Sequence, residues 1–209
     1  MTTSSRMLIV AAAIIAAPWC GVSRGMAADV PKTGAPAPEF TATDLQGHER
    51  RLSEFKGKFV VLEWHNQGCP FVAKHYSSGN MQRLQKDLTG QGVVWLTVIS
   101  SAPGKQGYVT PEEETTYLAQ THASPTAVLL DPDGKLGRLY GAKTTPHMFV
   151  IDDHGTLVYA GAIDDRPSTD VADIDGAKNY VRAAYEEAKA GKPVSVSTTA
   201  SYGCSVKYK

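Results

Sequence analysis

Cys69 stands where a short apolar run gives way to a helix, and this junction constrains the chain more than any other feature. Residues 59–62 (Phe-Val-Val-Leu) make the kind of run that becomes a buried strand. Gln67-Gly68 breaks it. Pro70 suits the first helical position, because the amide it lacks would have no partner there. Cys69 is then the cap residue, with unpaired backbone N–H groups and the positive end of the helix dipole directed at its sulfur. The thiolate is the reactive form of cysteine, and this environment favours it. An exposed dipole supplies about 0.3–1 kcal/mol and a partly buried one up to about 2. At about 1.36 kcal/mol per pKa unit, that lowers an ordinary thiol by about one and a half units at best. A larger shift needs a nearby cation. Lys74 and His75 lie more than a turn along the helix and are expected to point away from the sulfur. His65 precedes the loop. Each histidine taken alone is expected to be a surface or hydrogen-bonded core residue.

The opening of the chain reads as a targeting segment. Arg6 gives a short positive region, and residues 7–17 form an apolar run shorter than the roughly 20 residues that span a bilayer. Residues 25–28 (Gly-Met-Ala-Ala) offer small side chains to a signal peptidase. We expect a secretory signal peptide over residues 1–28, and a mature protein that is periplasmic or secreted with no stable membrane insertion. The chain carries 21 basic and 21 acidic residues. Loss of Arg6 and Arg24 leaves a net charge of about −2, which gives no footing for nucleic acid or an anionic membrane. Export removes Cys20 and leaves Cys69 and Cys204. In an oxidising compartment two such thiols pair, cycle as a redox couple or bind metal.

Residues 30–40, rich in Pro, Gly and Ala, predict an extended lead-in. Residues 40–44 and 49–52 flank a turn (Leu-Gln-Gly-His) and predict a hairpin. Residues 53–57 predict a short helical turn or loop. A strand is expected over 59–64, and the helix opened by Pro70 is expected to run to about residue 88. Residues 93–100, rich in Val and Ile, predict a central strand. The loop that follows, residues 100–108, is expected to be surface decoration. Thr110-Pro111-Glu112-Glu113 supplies an N-cap, a first-turn proline and dipole-matched acids for a helix to about residue 120. A strand over 127–130, a turn over 131–134 (Asp-Pro-Asp-Gly) and a short helix over 136–140 come next. Residues 147–151 and 157–161 predict an antiparallel hairpin. The last helix is expected over 176–190, stopped by Gly191 with Pro193 behind it. This order gives an α/β domain with a mixed sheet.

The segment 141–151 (Gly-Ala-Lys-Thr-Thr-Pro-His-Met-Phe-Val-Ile) places Thr145-Pro146 just ahead of a strand. Together with the strand–loop–Cys-Pro–helix element and the closing hairpin and helix, it resembles the thioredoxin superfamily. The lead-in 34–40 (Gly-Ala-Pro-Ala-Pro-Glu-Phe), Asp44, Gly47 and residues 55–58 (Phe-Lys-Gly-Lys) resemble its redoxin branch, which includes the peroxiredoxins and alkyl hydroperoxide reductase relatives. The resemblance covers roughly residues 30–190. It implies a three-layer fold, a central mixed β-sheet flanked by helices, extended by the N-terminal β-hairpin. It implies that Pro146 is cis and packs against Cys69, and that Thr145 presents its backbone to a bound thiol or disulfide. Two departures matter. Val72 stands where a thioredoxin has its second loop cysteine, and Leu62 and Asn66 stand where a typical peroxiredoxin has its proline and threonine.

The expected organisation is therefore a redoxin domain over 29–192 and a tail over 193–209 carrying Cys204. The expected activity is thiol–disulfide exchange, with Cys69 as nucleophile, Cys204 as resolving thiol, and Thr145 and Pro146 beside them. No cofactor or resident metal is expected. A Cys69–Cys204 bridge would serve equally as a static staple, closing a loop long enough to be worth more than about 4.7 kcal/mol. Partners are protein thiols and disulfides, or a small thiol or peroxide. Three other readings stay open: peroxide reduction through a sulfenic acid captured by Cys204; a copper chaperone using Cys69, His65, His75 and His147; and a redox-inert interaction domain.

Overall fold

The hairpin of Thr41–Asp44 (β1) and Glu49–Arg51 (β2) is held by one buried carboxylate. Asp44 Oδ1 accepts the N–H groups of Gln46 and His48, and Oδ2 accepts Arg50 Nε, each at 2.9 Å. A 3-10 turn, Leu52–Phe55, then leads into Val60–Trp64 (β3), every residue of which is buried. The computed structural model describes residues 1–2 and 30–209. The expected signal peptide, Cys20 included, lies outside the described residues apart from Met1 and Thr2.

The single helix expected over 70–88 is two helices, Pro70–Ser77 (α1) and Asn80–Thr89 (α2). The break has a local cause. Ser78 Oγ turns back onto the carbonyls of Lys74 (2.7 Å) and His75 (3.2 Å), and Gly79 takes a left-handed φ of 71° that no helix continues. Val94–Ile99 (β4) follows. Pro111–Thr121 (α3) opens on the predicted cap, in which Thr110 and Glu113 form a reciprocal capping box. Ala127–Leu130 (β5) leads to Lys135–Tyr140 (α4). Then come the two-residue strand Thr144–Thr145 (β6), the hairpin His147–Ile151 (β7) and Leu157–Gly161 (β8), and Tyr180–Lys189 (α5). The last helix begins later than residue 176 because Asn179 caps it, accepting the N–H of Arg182 at 2.9 Å. The tail ends in Cys204–Ser205 (β9).

Seven strands form one mixed sheet in the order β2-β1-β5-β4-β3-β7-β8. β3, β4 and β5 run parallel, β7 is antiparallel beside β3, and β8 is antiparallel beside β7. The period-two alternation of a strand splits the core into two layers. Val60, Leu62 and Trp64 face the layer that holds Leu96, Phe149 and Tyr140 of α4. Val61 faces the layer shared with α1, α2 and α5, and Cys69 is part of that layer. The C-terminal end of β3 thus delivers the active loop onto the edge of a packed core. β6 and β9 form a separate two-stranded ladder beside it.

Candidate active site

Cys69 takes an extended conformation at the N-cap of α1, with Pro70 at the first helical position, as the sequence predicts. Its loop is held by Asn66. The Asn66 carbonyl accepts the Cys69 N–H at 3.0 Å, and Asn66 Oδ1 accepts the Gly68 N–H at 2.9 Å. The Asn66 amide in turn donates to Gln106 Oε1 at 2.9 Å. The loop expected to be surface decoration is therefore a brace for the active loop. Gly107 seals the contact: its φ is 88°, and a Cβ there would lie 2.4 Å from Asn66 Nδ2.

Across from this loop the Thr145–Pro146 peptide is cis. The Thr145 carbonyl accepts the Cys69 S–H at 3.0 Å. On the outer side Thr145 pairs antiparallel with Cys204 in the β6–β9 ladder. The four residues singled out in the sequence, Cys69, Thr145, Pro146 and Cys204, thus meet at one point. Gly203 makes the closest approach. Its φ of 127° is one that side chains avoid, and a Cβ there would sit 2.1 Å from the Thr145 carbonyl oxygen.

Both cysteines carry free thiols. Burial disfavours the Cys69 thiolate, but hydrogen bonds from the Cys204 thiol, from Thr145 and from the backbone N–H groups of Cys204 and Val72 outweigh it, so the thiol lies below its ordinary value. Cys204 moves the other way. Burial, then the hydrogen bond to Cys69 and the negative charge there, push it up to about 11. The pair is asymmetric: Cys69 gives up its proton more readily than Cys204 does.

Cys69 has no exposed surface, and the tail covers it. Before Cys204, Thr199 N–H donates to the Ala160 carbonyl at 3.2 Å, Tyr202 donates to Asp164, and the Tyr202 ring packs 5.8 Å from that of Phe71. After it, the Val206 N–H donates to Lys143 and the Lys207 carbonyl accepts from Ala102. Tyr208 then lies against Gly137 with the Arg138 guanidinium 4.8 Å from its ring centre.

The histidines do not join the sulfur. His65 lies between the rings of Tyr76 and Tyr117, 3.6 Å from Glu63. His75 contacts Asn80 through Nδ1 and faces Asp164 at 3.8 Å. His147 Nδ1 accepts the Lys143 N–H at 3.2 Å. Lys74 is directed away, donating to the Arg166 carbonyl at 2.9 Å. Among the described residues no group of three or more His, Cys, Asp or Glu side chains could hold a metal ion. The copper reading, which needed Cys69 together with His65, His75 and His147, has no assembled site.

One acid escaped the sequence reading. Glu63 is fully buried in β3, accepting from Tyr76 Oη and Trp95 Nε1 at 2.8 Å and from Thr97 Oγ1 and Gln85 Nε2 at 3.2 Å. Burial disfavours its charge, yet His65, Trp95 and Tyr76 together hold its carboxyl below the ordinary value. The signal was present as one carboxylate inside an otherwise apolar strand.

Residues 33–160 match the AhpC/TSA family. The thiol-disulfide oxidoreductase ResA of Geobacillus kaustophilus is 28% identical over 124 residues, which is 59% of this chain and 66% of that protein. The chain thus spans just under two thirds of that relative's length. Two solved structures share the α/β thioredoxin-like fold at 26% identity. An uncharacterized conserved protein of Geobacillus kaustophilus has a TM-score of 0.74 over 87% of this chain and 94% of its own. A hypothetical protein of Sinorhizobium meliloti has a TM-score of 0.71 over 85% and 95%.

Proposed function

The chain belongs to the AhpC/TSA family of thioredoxin-fold redoxins, and on that premise we propose that it is an exported thiol–disulfide oxidoreductase with Cys69 as nucleophile and Cys204 as resolving thiol. The observation that carries this reading is the register of the tail, which sets Cys204 opposite Thr145, whose carbonyl oxygen lies 3.0 Å from Cys69 Sγ.

The chemistry follows from the asymmetry of the two thiols. The Cys69 thiolate attacks one sulfur of a substrate disulfide, forming a mixed disulfide and releasing the other sulfur as a thiolate. Cys204 then gives up its proton to a leaving thiolate and attacks Cys69 Sγ. The second substrate sulfur departs, and a Cys69–Cys204 disulfide remains. The substrate gains two electrons, the protein loses two, and an external dithiol restores it. The same bonds run backwards when the protein oxidises a dithiol. The substrates are protein thiols and disulfides, reached in the periplasm or outside the cell. No helix of the described residues is long and apolar enough to cross a membrane.

The complete enclosure of Cys69 favours a second reading, because it admits a small molecule more readily than a chain. The thiolate would attack a hydroperoxide, giving Cys69 sulfenic acid and an alcohol or water, and Cys204 would condense with it as water leaves. Asn66, standing where a peroxiredoxin has threonine, is committed to Gly68 and Gln106.

One experiment separates these readings. The reduced protein and Cys204→Ser are each given a model protein disulfide or hydrogen peroxide. Exchange predicts an intramolecular disulfide in the native protein and an accumulating mixed disulfide through Cys69 in the variant. Thiol loss with peroxide but not with the disulfide supports peroxidase chemistry instead. A Cys69 inert to both, with the tail also cut off at residue 192, overturns both readings.

A further inference from the structure

The ladder between β6 and β9 is a strand addition that the chain performs on itself. Among the described residues β6 pairs with no other strand, so without residues 204–205 its backbone groups form a bare edge. The tail arrives from a second edge, that of β8, where the Ala160 N–H donates to the Ser197 carbonyl at 3.1 Å. Past β9 it continues in the same manner. The Val206 N–H donates to the Lys143 carbonyl at 3.0 Å, and the Lys207 carbonyl accepts the Ala102 N–H at 2.9 Å. Bonds of this kind come from the backbone and are open to any extended segment, whatever its side chains.

Along residues 203–206 the side chains are read at three places. Gly203 lies over the Thr145 carbonyl with a φ of 127°, and a Cβ there would overlap the oxygen that also faces Cys69. Cys204 comes next, opposite Thr145. Val206, two residues on, packs against the hydrophobic core, while Ser205 between them is exposed. The edge therefore selects the pattern Gly-Cys-x-apolar. Cys69 has no exposed surface while this segment is seated. A substrate sulfur reaches Cys69 only when the tail leaves, and the place it must then occupy is the one the tail has vacated.

We propose that β6 is the docking edge for an extended segment of another protein that carries Gly-Cys-x-apolar with its cysteine in a disulfide, and that the tail is this chain's own version of that motif. The inference rests on the thiol–disulfide reading above and names its substrate. The segment takes the tail's place on β6. The Cys69 thiolate attacks the segment's cysteine sulfur, an S–S bond forms between them, and the segment's former partner sulfur departs as a thiolate. When the tail returns it expels the segment from the edge and brings Cys204 to the mixed disulfide. Cys204 passes its proton to the departed thiolate and attacks Cys69 Sγ, and the segment leaves with its cysteine as a thiolate. Substrate and tail thus exchange places on one edge.

The test uses the reduced Cys204→Ser protein and peptides with the sequence of residues 201–208 (Ser-Tyr-Gly-Cys-Ser-Val-Lys-Tyr), their cysteine joined to thionitrobenzoate, whose release is read by absorbance. One peptide keeps this sequence, one has alanine in place of Gly203, and one has aspartate in place of Val206. N-acetylcysteine amide with the same leaving group supplies a disulfide without a strand. Each rate is divided by the rate with free glutathione, which removes differences in intrinsic reactivity. The unaltered peptide is expected to react with Cys69 at least about tenfold faster than the alanine peptide. It should also outpace the aspartate peptide and the single residue. Tyr202→Phe, added to the protein, removes the tail's hydrogen bond to Asp164 and leaves the ladder in place, and should speed the unaltered peptide about threefold or more. Equal rates for the unaltered peptide and either substituted one, or a rate that Tyr202→Phe leaves unmoved, overturn the inference while thiol–disulfide exchange stands. A Cys69 inert to every one of these disulfides, the single residue included, overturns the reading on which the inference rests.

Discussion

Cys69 and Cys204 are shifted in opposite directions, Cys69 below its ordinary value and Cys204 up to about 11, so Cys69 is the more readily ionised of the two. If the Cys204 thiol is the chief donor to the Cys69 anion, then Cys204→Ala should raise the Cys69 pKa, because burial remains and its strongest counterweight is gone. Cys204→Ser keeps a donor of nearly the same reach and should restore most of the effect. Thiolate absorbance against pH in the three proteins checks this; identical midpoints would show that the backbone N–H groups alone stabilise the anion. At this scale the sequence was informative wherever the backbone dictates position. Cys69 at a helix cap and Pro146 before a strand follow from local geometry, and both are found so. The meeting of Cys204 with Cys69 was open among three alternatives, because it depends on where a tail with no periodicity lies. Glu63 was missed because the apolar pattern around it dominates, and only tertiary neighbours reveal that four donors converge on its carboxylate.

The tail is the element on which access to the sulfur depends. Among its contacts, the Gly203–Thr145 approach tolerates no Cβ. Gly203→Ala should force β9 away from β6 while leaving the seven-stranded sheet intact, and Cys69 should then react with iodoacetamide at least about tenfold faster, opening being the rate-limiting step in the parent. Unchanged alkylation with an unchanged melting temperature would mean that the sulfur is reached by another route. The elements of the sheet were legible because their alternation and their turn residues are local signals, from the Thr110 cap to the Asp131–Gly134 turn. The break between α1 and α2 was not, since Ser78-Gly79 is tolerable inside a helix until Ser78 bonds backwards and Gly79 turns left-handed. The brace between Gln106 and Asn66 joins segments 40 residues apart and leaves no mark on either one alone.

The whole molecule carries two buried imidazoles held neutral. Burial first, and then the charge of Lys74, depress His75 to about 4 against the opposing pull of Asp164 and Glu63; burial and Lys143 do the same to His147. An unfolded chain protonates its histidines near pH 6.5. Between about pH 6.5 and 4 the unfolded state therefore binds protons that the folded state refuses, and stability falls as the pH falls. Each imidazole contributes on the order of 3 kcal/mol at most. Glu114 and Asp131, buried carboxyls raised above their usual values, act in the opposite sense. Comparing the parent with His75→Gln cancels them. The loss of unfolding free energy from pH 7 to pH 5, measured by denaturant titration, should be smaller in the variant, and an equal loss would show that His75 is protonated in the fold. The α/β architecture with a mixed sheet around these groups was readable from the order of elements, because sheet and helix faces must bury one another.

A ribosome delivers this polypeptide from its front end. Cys69, its helix and the Thr145–Pro146 turn are complete well before residues 204–205 emerge, and the strand they form docks only when everything beneath it has formed. A newborn molecule thus passes through an interval in which its most reactive atom stands uncovered in whatever medium receives it, and maturation ends when the chain's own hem is drawn over the sulfur.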